Sequence, residues 1–248
     1  MNPALSAVRV GCAGWSLPRG ADEYFPRDGS HLQRYAARLP AVEINSSFYR
    51  PHRPATYARW AASVPAAFRF SVKIPRSITH EAMLADPDAK LDTFLAEASA
   101  LGDKLGCLLV QLPPSLAFDD SVASHFFAAL RARYDGAVVL EPRHASWAAP
   151  ACDALLETFR VGRVGADPPR IPALSEPRAW GGVAYYRLHG TPRVYFSSYG
   201  DAFLDTLAAS IAACANSSTA VWCIFDNTGL GAAPLNAIAL LERLAGKP

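Results

Sequence analysis

Residues 137–147 read AVVLEPRHASW, running from Ala137 to Trp147. Apolar residues lead into a carboxylate, a proline, a guanidinium, an imidazole and an indole. A buried strand that ends this way delivers polar chemistry at its C-terminal end. Working outward, the same pattern recurs. Eight apolar runs read as strands: Val8–Cys12, Ala41–Asn45, Phe68–Lys73, Cys107–Leu112, Ala137–Glu141, Val161–Asp167, Val183–His189 and Ala220–Asp226. Helical patterns lie between them over Ser30–Leu39, Pro54–Val64, Pro87–Lys104, Asp119–Tyr134, Ala148–Phe159, Asp201–Ala215 and Ala232–Ala245. Pro54, Pro87 and Asp119 stand where helices begin. Eight strands alternating with helices over 248 residues predict a single-domain (β/α)8 TIM barrel spanning residues 1–248. The rival is a doubly wound open sheet. Its glycine-rich phosphate turn is absent, since Gly11-Cys-Ala-Gly14-Trp15 does not make GxGxxG. One unit departs from the repeat. Pro168–Gly182, PPRIPALSEPRAWGG, holds too many prolines for a helix, so the connection between strands 6 and 7 is expected to be irregular.

The hydrophobic fraction is 51%, the charged fraction 19% and the net charge +2. This excludes a disordered chain and argues against a protein that coats DNA by bulk charge. No apolar run is long enough to cross a bilayer, and MNPALSAVRVG lacks the apolar core of a signal peptide. The five cysteines, Cys12, Cys107, Cys152, Cys214 and Cys223, lack CxxC spacing. They read as reduced residues of a cytoplasmic protein, without disulfides or cysteine-bound metal.

Side chains alternate along a strand, so residues two apart share a face. Glu43 goes with Asn45; Arg69 and Ser71 with Lys73; Leu109 with Gln111; Val139 with Glu141; Gly165 with Asp167; Tyr185 and Arg187 with His189. The alternate faces, such as Val42 and Ile44 or Phe70 and Val72, are apolar and belong beneath helices. If the polar faces point inward, they gather at the C-terminal mouth, where this fold keeps its active sites. The expectation is one pocket around Glu43, Lys73, Glu141, Asp167, Arg187 and His189, with His144 and Trp147 above it. The alternative is an ion network that satisfies itself and closes the barrel top.

At these residues the chain resembles the domain-of-unknown-function 72 family of YecE-like proteins. The matching stretches include Gly14-Trp15, Tyr24-Phe-Pro26, Val42-Glu-Ile-Asn-Ser-Ser-Phe-Tyr-Arg50 and Phe70-Ser-Val-Lys-Ile-Pro-Arg76 with Thr79-His80. They continue through Lys104-Leu-Gly106, Gln111-Leu-Pro-Pro-Ser115, Glu141-Pro-Arg-His-Ala-Ser-Trp147, Tyr186-Arg-Leu-His-Gly190, Phe225-Asp-Asn-Thr228 and Asn236-Ala237. Pro142, Ala145 and Asp226 depart from the family's usual residues. The resemblance implies a TIM barrel and brings no established activity, substrate or cofactor.

The residues themselves support an enzyme acting on a small polar or anionic substrate, by hydrolysis or other acid–base chemistry. Glu141 and His144 would carry protons, supported by His189 and Glu43. Lys73, Arg143 and Arg187 would hold negative charge. Asn45, Gln111 and Asn227 would orient the substrate, Trp15, Tyr49 and Trp147 would wall it, and Asp167 and Asp226 would complete the binding set. No short ligand motif joins the acidic and histidine residues, so no metal site is expected and no cofactor is assigned. Lys73 could form a Schiff base, but nearby carboxylates would more often keep it charged and paired. The alternative function is a non-catalytic binding protein for nucleic acid or a phosphorylated ligand.

Overall fold

The computed structural model describes residues 7–18, 23–215 and 219–246. The reading of the N-terminus as leaderless falls largely on residues 1–6, outside the described residues. Strand β1 is Val8–Ala13, β2 Ala41–Ile44, β3 Arg69–Lys73, β4 Leu105–Gln111 and β5 Val138–Glu141. The sixth run is split into β6, Val161–Arg163, and β7, Gly165–Asp167; β8 is Val183–Leu188 and β9 Ala220–Phe225. All pair in parallel, in the order β6-β5-β4-β3-β2-β1-β9-β8-β7. The two ends of this order are consecutive in the chain, separated only by Val164. The Val164 N–H donates to Leu140 O of β5 at 2.9 Å, while Gly165 is already in register with Tyr186 of β8. The nine strands thus form one nearly closed barrel. The predicted eight become nine because the sixth run serves β5 with its first half and β8 with its second.

Helix α1 is His31–Ala36, α2 Pro54–Ala62, α3 Asp88–Ala98, α4 Asp120–Arg131, α5 Pro150–Thr158, α6 Asp201–Ala215 and α7 Ala233–Leu244. Their starts follow local chemistry. Ser30 and Gln33 form a reciprocal capping box on α1, and the Asp119 side chain accepts the Val122 N–H of α4 at 3.0 Å. The pattern predicted over Pro87–Lys104 becomes α3 followed by a 3-10 stretch at Ser99–Lys104, which Gly102 interrupts at φ 57°. Between β7 and β8 the expected helix is replaced by a loop with one 3-10 turn, Pro172–Leu174.

Two apolar layers result. Leu109, Val139, Val164, Tyr185, Trp222 and Ile224 fill the barrel. The alternate residues, including Val42, Ile44, Phe70, Val72, Leu108 and Leu140, join the helices in the larger outer core. The parity reading holds for strands β2 to β5 and β8, and fails by one residue in the sixth run. Val164 points inward, so Gly165 and Asp167 point outward. Arg163 is also outward and pairs with Asp153 of α5. A Cβ on Gly165 would lie 2.7 Å from Pro177 Cδ, so a glycine here lets the replacing loop lie directly on the barrel.

Candidate functional site

The C-terminal mouth is organised by Arg187, the fifth residue of β8, which is 1% exposed. Its Nε and Nη2 grip Glu43 Oε2 and Oε1 at 3.1 and 2.8 Å. Its Nη1 reaches Glu141 Oε2 at 3.2 Å, and Nη2 lies 3.1 Å from Asp226 Oδ2. Glu43 is also met by Tyr185, whose hydroxyl lies 2.9 Å from Oε2 and 3.1 Å from Ser71 Oγ. His189 bridges the other two acids, with Nδ1 3.0 Å from Asp226 Oδ2 and Nε2 2.8 Å from Glu141 Oε1. Arg143, on the loop after β5, donates Nη2 to Glu141 Oε1 at 2.5 Å and lies 3.0 Å from His189 Nε2.

Mutual pairing sets the charge states. Burial alone would raise the Glu141 pKa, but Arg143, Arg187 and His189 hold it well below the ordinary carboxylate value. Burial likewise opposes ionisation of Asp226, and Arg187, His189 and Lys73 outweigh it and lower its pKa. Burial disfavours the Arg187 cation, yet Asp226, Glu43 and Glu141 raise its pKa well above normal. Glu141 is therefore an ionised group at neutral pH and a base or an anchor, not a ready acid.

Lys73, the last residue of β3, is different. It is 4% exposed, and among the described residues Nζ has neither ion-pair nor hydrogen-bond partner. It lies 3.9 Å from the centroid of the Phe48 ring, a cation–π position. Burial, aided by Arg187, lowers its pKa to about 8 against the pull of Glu43, Glu141 and Asp226. On the same Phe48 ring, His80 packs edge-on at 4.8 Å. Burial lowers the His80 pKa, and the Lys73, Arg76 and Arg143 charges lower it further. His80 sits in a π-helical turn, Ser77–Glu81, a local geometry common at functional sites.

The structure thus gathers Glu43, Lys73, Glu141, Arg143, Arg187, His189 and Asp226. Gln111 stands in register beside Glu141 at the end of β4. Asn45, at the end of β2, has a buried Oδ1 without a partner. The charged side chains pack against one another at the opening. The cavity bounded by Glu141, Arg143 and Arg170 is about 10 Å³, one water's worth.

Other candidates lie elsewhere. Asp167 faces outward, as the shifted parity requires, and its Oδ1 accepts from Thr191 Oγ1 at 2.6 Å and Tyr199 OH at 2.8 Å. Trp147 is 1% exposed in the outer core, with Nε1 donating to Leu116 O at 2.9 Å and its ring against Phe118. It supports the loop and walls no site. His144 Nδ1 accepts the Ser146 N–H at 3.2 Å and lies 2.8 Å from Ser146 Oγ, so it caps the turn Ala145–Ala148. Trp15 packs on Trp60 of α2. Tyr49 is 67% exposed and borders a cavity of about 530 Å³ with Phe48, Arg50, Arg76 and Lys90. Asn227 Nδ2 ties Ser197 O and Asn236 Oδ1 together at 3.0 and 2.9 Å.

Three neighbours fell outside the sequence-derived site. Phe48 looks like an ordinary apolar position until its partners are seen, and strand phase places Tyr185 on the inward face without giving it a role there. Tyr195 holds a positive φ of 71° with its ring edge-on to His189 at 6.0 Å, and no composition signal marks it. All five cysteines are free. Among the described residues no cluster of His, Cys, Asp and Glu has the arrangement of a metal site, and no helix is long and apolar enough to cross a membrane.

Comparison with known proteins agrees with this architecture. A DUF72 family protein of Thermotoga maritima MSB8 superposes with a TM-score of 0.81 at 24% identity, covering 96% of this chain and 99% of that one. A DUF72 family protein of Enterococcus faecalis V583 gives 0.75 at 22% identity over 97% and 98% of the two chains. UPF0759 protein YecE of Escherichia coli (strain K12) is 30% identical over 139 residues, 55% of this chain and 48% of that protein. UPF0759 protein YunF of Bacillus subtilis (strain 168) is 27% identical over 151 residues, 58% and 53%. The aligned part is about half the length of these curated relatives. The model of the family described as "Protein of unknown function DUF72" matches residues 9–248, so the chain belongs to the DUF72 family.

Proposed function

We propose that this protein is an enzyme that binds a small anionic molecule at the barrel mouth and performs acid–base chemistry on it. The observation that carries this reading is Lys73, a nearly buried amine with no counter-ion among the described residues, beside acids already engaged by other cations. Glu43, Glu141 and Asp226 contribute three negative charges, and Arg143 and Arg187 two positive ones. One proton, on Lys73 or on His189, balances the set. A second proton leaves an excess positive charge that a ligand anion would match. In this reading Lys73 meets the ligand and His189, held between Asp226 and Glu141, moves the proton. Glu43 and Arg187 fix the frame. His144 serves the loop.

The second reading is a non-catalytic binding protein for a phosphorylated ligand or nucleic acid. The saturation of Arg187 and the narrow space beside Glu141 favour it. A panel of small carboxylates and phosphates, screened by thermal shift on the wild type and Lys73→Met, tests the proposal. Stabilising anions should raise the Tm of the wild type and lose that effect in Lys73→Met. NMR of the bound compounds in D2O then reads turnover or C–H exchange, which should vanish in His189→Asn. Binding without either change would favour the second reading. No anion acting through Lys73 would overturn the first.

A further inference from the structure

We propose that Lys73 is a covalent amine, condensing with the carbonyl group of a small aldehyde or ketone that carries an anionic group. This deepens the acid–base reading and rests on it.

The acids around Lys73 are already engaged. Glu43 is held bidentate by Arg187, Glu141 by Arg143, Arg187 and His189, and Asp226 by Arg187 and His189. None lies within ion-pair distance of Nζ, which instead rests over the Phe48 ring. An ammonium taken from water without a paired anion is costly, and the neutral amine avoids that cost. The depressed basicity of Lys73 agrees with this geometry, since a pKa of about 8 leaves a useful fraction of free amine near neutral pH.

The choice of residue points the same way. The chain has 4 lysines and 20 arginines. Arg143 and Arg187 already supply permanent charge at the mouth. A guanidinium does not give up its proton in a protein, whereas an amine does. Lysine at this strand end adds a nucleophile that arginine cannot provide.

Proton carriers and an anion donor stand close by. His80 shares the Phe48 ring, and its lowered pKa leaves it neutral and able to accept or give a proton. Its Nδ1 is fixed 2.8 Å from Thr79 Oγ1. Arg143 Nε is buried without a partner and offers one more donor for a substrate anion.

The step balances without any other reagent. The Nζ lone pair attacks the carbonyl carbon, the C–N bond forms, and the carbonyl π pair goes to oxygen, which takes a proton. The second nitrogen proton passes to that oxygen, the C–O bond breaks and water leaves, giving a C=N bond to Nζ; both protons of the water come from the amine. Amine plus carbonyl gives imine plus water.

The test uses the intact protein with glyoxylate or pyruvate as probe and acetaldehyde as an uncharged control, each with sodium cyanoborohydride. Peptide mass mapping follows labelling at every lysine. Reduction should fix the adduct at Lys73 at least ten times faster than at exposed Lys90, with the oxo acids outpacing acetaldehyde. The Lys73 rate should reach half its maximum near pH 8. Lys73→Arg should lose that adduct; if this variant fails to fold, the wild-type map and pH profile still decide. Labelling of Lys73 no faster than Lys90 overturns the imine. If anions nonetheless stabilise the wild type through Lys73, the acid–base reading survives; if they do not, both fall.

Discussion

Arg187 holds Glu43 through two parallel hydrogen bonds, at 3.1 and 2.8 Å, with neither side chain more than 1% exposed. The same guanidinium touches Glu141 and Asp226, so it joins β2, β5, β8 and the loop after β9. Removing it would leave Glu43 without a cation, and Glu141 and Asp226 with only Arg143 and His189. Breaking a buried pair by deleting one partner costs about 3–5 kcal/mol. Arg187→Met should therefore lower the unfolding free energy measured in urea by that amount, and Arg187→Lys should recover only part, because an ammonium cannot bind Glu43 bidentate. Equal stability of the wild type and Arg187→Met would show that the network does not hold the mouth together.

Acid should expose the same network. The native pKa values of Glu141 and Asp226 are depressed: burial opposes this, and Arg187 with its neighbours more than reverses it. In the unfolded chain these groups return to about 4.3 and 3.9. Below those values the unfolded state takes up protons that the native state refuses. Stability is complete at neutral pH and falls as pH drops through about 5 toward the native values. Urea titrations from pH 7 to pH 3 should show this decline, and Glu141→Gln should flatten its slope. An unchanged slope would contradict the pairing.

Trp147 separates support from binding. Its buried indole donates to Leu116 O and packs on Phe118. Trp147→Phe removes that hydrogen bond and leaves the carbonyl unmet, at a cost of roughly 1–3 kcal/mol. Anion-induced stabilisation should persist in the variant. Loss of ligand response without loss of stability would return Trp147 to the site.

Much of this arrangement was legible in the sequence. Strand ends such as Val139-Leu-Glu141 and Tyr185-Tyr-Arg187 carry alternation strong enough to place polar groups inward, and the structure keeps that phase. The sixth run misled because Val161–Asp167 offers no clear alternation: Arg163 and Asp167 are both charged and both outward, paired with Asp153 and with Thr191 and Tyr199. Long-range partners were also invisible. Nothing local tells that Trp147 will find Leu116, or that Phe48 will lie under Lys73. Which charges converge follows from strand phase; which are consumed by each other follows only from distances.

The misphased run makes its own prediction. Gly165 faces the loop that replaces a helix, and an added Cβ would meet Pro177 N and Ser175 O at 2.8 Å. These are backbone atoms and cannot swing aside. Gly165→Ala should push the 168–182 loop off the barrel and cost about 1–3 kcal/mol, the usual range for overpacking. Protease nicking within that loop should quicken, and hydrogen exchange at Arg178, whose N–H donates to Arg163 O at 2.9 Å, should rise. An undisturbed loop would mean that the contact is slack.

Lys73 should reveal itself by a stability gain when it is removed. Burial, then Arg187, lowers its native pKa to about 8, whereas the unfolded chain has the ordinary value near 10.4. Between these values the unfolded state binds more protons than the native state, so stability contributed by this site rises with pH over that window. Below pH 8 both states are protonated, and the native state bears the full cost of a poorly compensated ammonium. A tenfold loss of proton affinity corresponds to about 1.4 kcal/mol, which sets a scale of about 3 kcal/mol for this site. Lys73→Met keeps the chain's bulk over the Phe48 ring without the charge. It should be more stable than the wild type at pH 7, and the difference should shrink as pH rises from 8 to 10. Tyrosines titrate in the same range, so the comparison is made between the two proteins at each pH, where their contributions cancel. A variant less stable than the wild type at pH 7 would mean that the ammonium is well paired, and that Lys73 holds the fold instead of waiting for a ligand.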